Sequence, residues 1–324
     1  MEKRLLGRSG LKVTPICFGT WELGGEWGTF DPDLATSAIR RARDLGINFF
    51  DSAQGYGFGE SEQLLGAALA EELRTARDEL VIATKGGLRR EGDRLVRDAS
   101  RAWLREGVDA SLRALGVDVI DLYQLHWPDP NTPFEETAGA LGELVDAGKI
   151  RHAGVSNFDA AQMAAFAEHG PLETLQPPYD MFRRGIEESV LPYCLGHEIG
   201  VLVYAPLAHG LLAGAMSPST VFAADDWRSQ SSDFTGDTFH RNLAVVTGLR
   251  TFAADVGVSL PMLAVAWALA NPAVDAAIVG TRNPDHLHDI VSAVDVRLSP
   301  EDLTEIDLLL TDAVPVRGPS PEGM

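Results

Sequence analysis

The alternation of two chain patterns constrains this 324-residue sequence more than any other feature. Short, mostly apolar runs read as strands over 15–19, 47–50, 80–84, 119–125, 150–155, 173–176, 200–205 and 276–279. Longer amphipathic runs between and after them read as helices over 34–45, 60–70, 100–115, 134–147, 160–167, 187–197, 242–256, 261–270 and 285–294. Strands that are apolar on both faces and joined by helices pair in parallel, because a crossover helix returns the chain to the same end of the sheet. Gly46, Gly116 and Gly148 each stand just ahead of a strand, where a left-handed residue ends the preceding helix. Eight such units in one chain favour a closed (β/α)8 TIM barrel over an open sheet.

The rest of the chain is read around that barrel as one domain, 1–324. Residues 1–14 precede the first unit, and Arg8-Ser9-Gly10 between two apolar runs predicts an N-terminal β-hairpin that plugs the barrel floor. Extra helices are expected at the C-terminus. The stretch 215–241, rich in Ser, Thr, Asp and Gly, is the one long irregular segment; it follows the seventh strand and so belongs to the functional face of a barrel. Residues 315–324 read as a polar tail.

Charge narrows the function. With 27 basic and 47 acidic residues the net charge is −20, which argues against nucleic acid or an anionic membrane surface as partner. The longest apolar run, 260–270, is too short to span a bilayer. The charged start MEKRLLGRSG has no apolar core of a signal peptide, and two cysteines, Cys17 and Cys194, are too few for a disulfide framework. The expectation is a cytoplasmic protein acting on a small molecule, with no metal. His286 and His288, two apart on a helix, share no face for a metal.

In a barrel the chemistry sits at the C-terminal ends of the strands. There the sequence places Asp51 and Tyr56 after the second strand, Lys85 after the third and His126 after the fourth. A phenol with its ordinary pKa near 10 is a poor acid at neutral pH; a nearby cation lowers that value, so Lys85, held by Asp51, is expected to tune Tyr56. His126 then donates to a substrate oxygen. A Tyr acid and a His donor suit carbonyl reduction, and since no side chain supplies a hydride, a nicotinamide cofactor is implied. Only four lysines occur among the basic residues, and one of them is Lys85, where arginine cannot share a proton.

These residues sit in segments that resemble the aldo-keto reductases: Asp51-Ser-Ala-Gln-Gly-Tyr56-Gly-Phe-Gly-Glu-Ser-Glu62, Lys85 in Ala-Thr-Lys-Gly-Gly, His126 in Leu-Tyr-Gln-Leu-His-Trp, Gly154-Val-Ser-Asn-Phe158 and Gly280-Thr-Arg-Asn-Pro284. The resemblance runs from the second strand to the eighth. It implies a monomer or weak homo-oligomer using NADP (NADPH), with NAD not excluded, in which Tyr56 is the general acid/base, Lys85 and Asp51 its tuning pair, and His126 the carbonyl-orienting group. It further implies that Ser156, Asn157 and Gln176 hold the nicotinamide carboxamide and that Tyr204 is its stacking platform. Leu207 and Gly210 fall near the pyrophosphate. Gly280, Thr281, Arg282, His286 and Asp289 fall at the adenosine end, where Arg282 is expected to meet the 2′-phosphate. The chain departs from many relatives there, with His286 in place of Gln or Arg and Ile290 in place of Asn. Trp21, Phe58, Trp127 and Trp227 are expected to wall the substrate pocket. The acidic charge then belongs on the outer helices, and the cofactor groove is expected to carry its own positive features: Arg282, the helix start after Gly280, and Lys85. The family also contains channel-associated regulatory subunits that bind NADP with little turnover, so the same resemblance leaves that binding role as the alternative.

Overall fold

The computed structural model describes residues 1–92 and 94–323. Eight strands, β1 (Ile16–Gly19), β2 (Phe49–Asp51), β3 (Val81–Gly86), β4 (Ile120–Leu125), β5 (Ile150–Ser156), β6 (Thr174–Gln176), β7 (Gly200–Tyr204) and β8 (Ala276–Gly280), form a closed barrel. Each pairs in parallel with the next, and β8 returns to β1. The expected (β/α)8 TIM barrel is therefore the fold. Register sets the functional rim: Gly19, Asp51 and Ala83 lie abreast across β1–β3, and Ser156 lies beside Gln176.

Outside the strands run α1 (Pro32–Asp44), α2 (Glu60–Ala68), α3 (Arg101–Leu115), α4 (Phe134–Asp146), α5 (Ala160–Ala167), α6 (Val190–Gly196), α7 (Gly236–Asp255), α8 (Leu260–Ala270), α9 (Leu287–Ser292) and α10 (Pro300–Leu309). Their ends follow local chemistry. Ser100 caps α3 by accepting from the Trp103 amide, and Gly116, at φ 67°, closes it in the left-handed region that costs a side chain most. No single helix among the described residues is long and apolar enough to cross a membrane.

The core has two parts. Between strands and helices lies the larger one. Inside the barrel, Cys17, Phe49, Val81, Leu122, Leu202 and Ile278 pack with Leu6 and Val13 of the N-terminal hairpin, whose strands Arg4–Leu5 and Lys12–Val13 pair antiparallel. Leu6 is fully buried, which stabilises the floor by about 2 kcal/mol. Gly7 is obligatory here: a Cβ on it would lie 2.2 Å from the Gly200 amide nitrogen. The hairpin does plug the barrel.

Three features differ from the sequence reading. A second hairpin, Leu88–Glu91 paired with Arg94–Arg97, stands between β3 and α3, with Trp103 Nε1 donating to Leu88 O at 3.0 Å. The irregular stretch 215–241 ends earlier than expected, because α7 begins at Gly236 and buries Phe239 within polar-looking sequence. The tail 315–324 is anchored. Val316 is fully buried, the Arg317 amide donates to Asp233 Oδ2 at 2.7 Å, and Glu322 pairs with Arg97 at 2.7 Å. Met324, the end of that tail, lies outside the described residues.

Candidate active site

The C-terminal rim opens into a cavity of about 600 Å³ that runs from Tyr56 and His126 to Asp289 and Ile290. Its anchor is a buried ion pair. Lys85, 1 % exposed, donates from Nζ to Asp51 Oδ2 at 2.5 Å, to Ser52 O at 2.8 Å and to Tyr56 Oη at 3.4 Å. Gln176 Nε2 donates to the other Asp51 oxygen at 3.0 Å. All three ammonium donors and both carboxylate oxygens thus have partners, the condition under which a buried charge pair is tolerated. Left-handed backbone at Gly57 (φ 59°) and Phe58 (φ 49°) turns the chain after Tyr56. The Tyr56 ring meets His126 edge-on, centroids 5.6 Å apart, and lies near-parallel to Trp21 at 6.4 Å.

Electrostatics differ from the simple expectation for Tyr56. Burial, with Asp51 and the more distant Tyr204, Glu26 and Glu22 behind it, holds the phenol well above its ordinary range despite the Lys85 ammonium. Burial is the leading cause, because it disfavours the charged phenolate, and the Asp51 carboxylate adds to it. Burial likewise pushes the Asp51 carboxyl up, against the pull of Lys85. Burial and then Lys85 hold the His126 imidazole well below its ordinary value, so it is neutral at physiological pH and donates through one N–H only. Its Nδ1 is buried without a partner.

A second hydrogen-bonded group crosses β5, β6 and β7. Ser156 Oγ donates to Gln176 O at 2.7 Å, Asn157 Nδ2 to His126 O at 3.0 Å, and Tyr204 Oη to Asn157 Oδ1 at 2.9 Å. Asn157 holds φ 63°, a conformation its short polar side chain tolerates. Ser156, Asn157, Gln176, Tyr204, Leu207, Gly210, Gly280, Thr281, His286 and Asp289 all line the cavity, as do Trp21 and Trp127.

Three anticipated residues lie elsewhere. Phe58 packs under the Arg90 guanidinium, 4.6 Å from its ring centre. Trp227 stacks behind Trp21 at 6.1 Å and borders a neighbouring depression. Arg282 turns away from the cavity: Nε and Nη2 donate to Glu22 O at 2.9 and 2.6 Å, and Nη2 to Gly28 O at 3.0 Å. Of the positive features expected in the groove, Arg282 binds loop carbonyls and Lys85 is neutralised by Asp51, while the turn after Gly280 does border the cavity, with Asn283 capping it by accepting from the Asp285 amide. The structure adds lining residues that no motif announced: Glu22, Trp27, His209, Gly318 and Pro319. His209 is 4 % exposed, has both ring nitrogens unpartnered, and stands edge-on to Trp21 and Trp227. These contacts are long-range, so only the folded chain assembles them.

The sequence profile of the Aldo/keto reductase family matches residues 15–311. The chain belongs to the aldo/keto reductase family. This aldo/keto reductase is 42 % identical over 316 residues to aldo-keto reductase YhdN of Bacillus subtilis, covering 97 % of this chain and 95 % of that one. It is 34 % identical over 327 residues to a probable voltage-gated potassium channel subunit beta of Arabidopsis thaliana, covering 96 % and 97 %. Among solved structures it superposes on the glycerol dehydrogenase AKR11B4 of Gluconobacter oxydans with a TM-score of 0.87 and 38 % identity, covering 98 % and 97 % of the two chains. The rim assembled by β2 to β8 is therefore the part of this aldo/keto reductase in which to look for its chemistry.

Proposed function

We propose that this cavity binds a nicotinamide dinucleotide and that the protein reduces aldehydes or ketones to alcohols, or runs the reverse oxidation. The observation that carries the reading is the meeting of a protonated phenol, a buried Lys–Asp pair and a neutral imidazole on one wall of one cavity. The cavity's size and chemistry fit the dinucleotide: an aromatic wall at Tyr204, amide and hydroxyl groups at Ser156, Asn157 and Gln176, and length to reach Asp289. The dinucleotide, when bound, supplies or accepts the hydride.

The residues do the proton work. Tyr56, held in its protonated form, gives its Oη proton to the carbonyl oxygen as charge develops there. Lys85 Nζ, 3.4 Å away, stabilises the phenolate left behind, and Asp51 keeps that ammonium aimed. Neutral His126 donates a hydrogen bond to the same oxygen and fixes the carbonyl face. Ser156, Asn157 and Gln176 orient the carboxamide, Tyr204 supports the ring, and Leu207 and Gly210 pass close to the pyrophosphate. Trp21, Trp127 and Trp27 exclude water from the substrate. This wall suits a small carbonyl compound with an apolar portion. The nicotinamide end does not separate NADPH, to which the motif residues Thr281 and Arg282 point, from NADH.

The reading is tested with Tyr56→Phe. Carbonyl reduction followed by cofactor absorbance should fall by about 10²- to 10⁴-fold while dinucleotide binding persists. Unchanged turnover sinks the mechanism. The likeness to a channel beta subunit supports a second reading, a dinucleotide-binding subunit with little turnover. Tight dinucleotide binding with single-turnover chemistry only, across a panel of aldehydes and ketones, would select it.

A further inference from the structure

The end of the groove remote from Tyr56 is bordered by acidic residues. Among the described residues, no lysine or arginine lines the cavity, whereas the acidic residues Glu22, Asp285 and Asp289 do. The Glu22 carboxylate lies against the end of β8: a Cβ on Gly280 would sit 2.0 Å from its Oε2. The two arginines that act on Glu22, Arg282 and Arg228, are committed to other partners. Arg282 holds the Glu22 and Gly28 carbonyls at 2.6–3.0 Å and lies 5.0 Å over the Phe30 ring. Arg228 is joined to Asp226 at 2.6 and 3.0 Å, donates to His209 O at 3.0 Å, and sits over the Trp27 and Phe222 rings. His286 has both ring nitrogens occupied, Nδ1 by Thr281 Oγ1 at 3.2 Å and Nε2 by Asn283 Nδ2 at 3.4 Å.

A ribose 2′-phosphate carries close to two negative charges and is bound by a guanidinium fork or an ammonium; a ribose 2′-hydroxyl is bound by a carboxylate that accepts its hydrogen bond. The observed end of the groove supplies the second chemistry. We infer that this protein takes NAD(H) in preference to NADP(H), with Asp289 as acceptor for the ribose hydroxyl and Asp285 and Glu22 disfavouring a 2′-phosphate. The inference rests on the dinucleotide reading above.

The test is direct binding to the full chain, by calorimetry or tryptophan quenching, with NADH, NAD⁺, NADPH and NADP⁺ at pH 7.5. NADH is expected to bind at least about tenfold more tightly than NADPH. Equal or tighter NADPH binding overturns the inference and leaves the dinucleotide reading standing; binding of none of the four overturns that reading and the inference with it. Two variants locate the cause. Arg282→Ala should leave the NADH-to-NADPH affinity ratio unchanged, and a selective loss of NADPH affinity would show that Arg282 swings in to hold the phosphate. Asp289→Ser with His286→Arg should narrow or reverse the ratio by raising NADPH affinity; an unchanged ratio removes Asp289 from the assignment.

Discussion

Lys85 shows how much one residue can hold together. Its three acceptors lie on β2 and in the loop that follows it, so the side chain ties β3 to the segment that carries Tyr56. Lys85→Met leaves the Asp51 carboxyl buried with Gln176 alone, an uncompensated charge that costs about 3–5 kcal/mol. Urea denaturation should report that loss, and adding Asp51→Asn should recover part of it; a double variant no more stable than Lys85→Met would show that the buried charge is not the cause. The identities of these residues were legible in the sequence because each falls at or just beyond a strand end, where the fold itself selects for function. The sign of the Tyr56 shift was not, since it depends first on burial and then on the nearby Asp51 carboxylate, and burial is not a property of the motif.

At the scale of elements, legibility followed hydrophobic periodicity. The barrel strands and most of the helices announced themselves as apolar runs of the right period, and the floor hairpin through its turn. The hairpin Leu88–Glu91 with Arg94–Arg97 did not, because it stands on the rim with charged side chains outward and buries little beyond Leu88. The tail was hidden for a similar reason: two buried residues, Val316 and Pro321, among polar neighbours hold it across the mouth, where Gly318 and Pro319 line the cavity. Two of its anchors are unequal. The Arg97–Glu322 pair leaves Glu322 54 % exposed and is worth less than about 1 kcal/mol. Truncating the buried Val316 side chain costs about 1–2 kcal/mol. Val316→Ala should therefore speed hydrogen exchange of the Arg317 amide, now bonded to Asp233, by about tenfold, while Glu322→Ala should change it little. The opposite order would place the anchor in the ion pair.

For the whole molecule, the balance of charge and burial sets how stability runs with pH, and two buried groups pull in opposite directions. The His209 imidazole, its value lowered to about 3 by burial first and by Arg183 and Arg228 after it, contributes stability that is complete above about 6.5 and is lost as pH falls toward 3. The Asp180 carboxyl is raised to about 7 by burial, against the pull of the Phe182 amide and Arg183. Its contribution is complete below the ordinary carboxylate value and is lost as pH rises to about 7, because over that window the unfolded chain ionises there and the folded chain does not. The net charge of −20 adds self-repulsion on the alkaline side. Asp180 separates these effects: Oδ1 accepts from the Phe182 amide at 2.7 Å while Oδ2 has no partner, so Asn keeps the bond and removes the titration. The stability of Asp180→Asn relative to the parent chain, from urea denaturation at pH 5, 6, 7 and 8, should rise by up to about 1.4 kcal/mol per pH unit as far as pH 7 and then level off. A difference that stays constant from pH 5 to pH 7 would mean that Asp180 is already ionised in the folded protein, stabilised by Arg183.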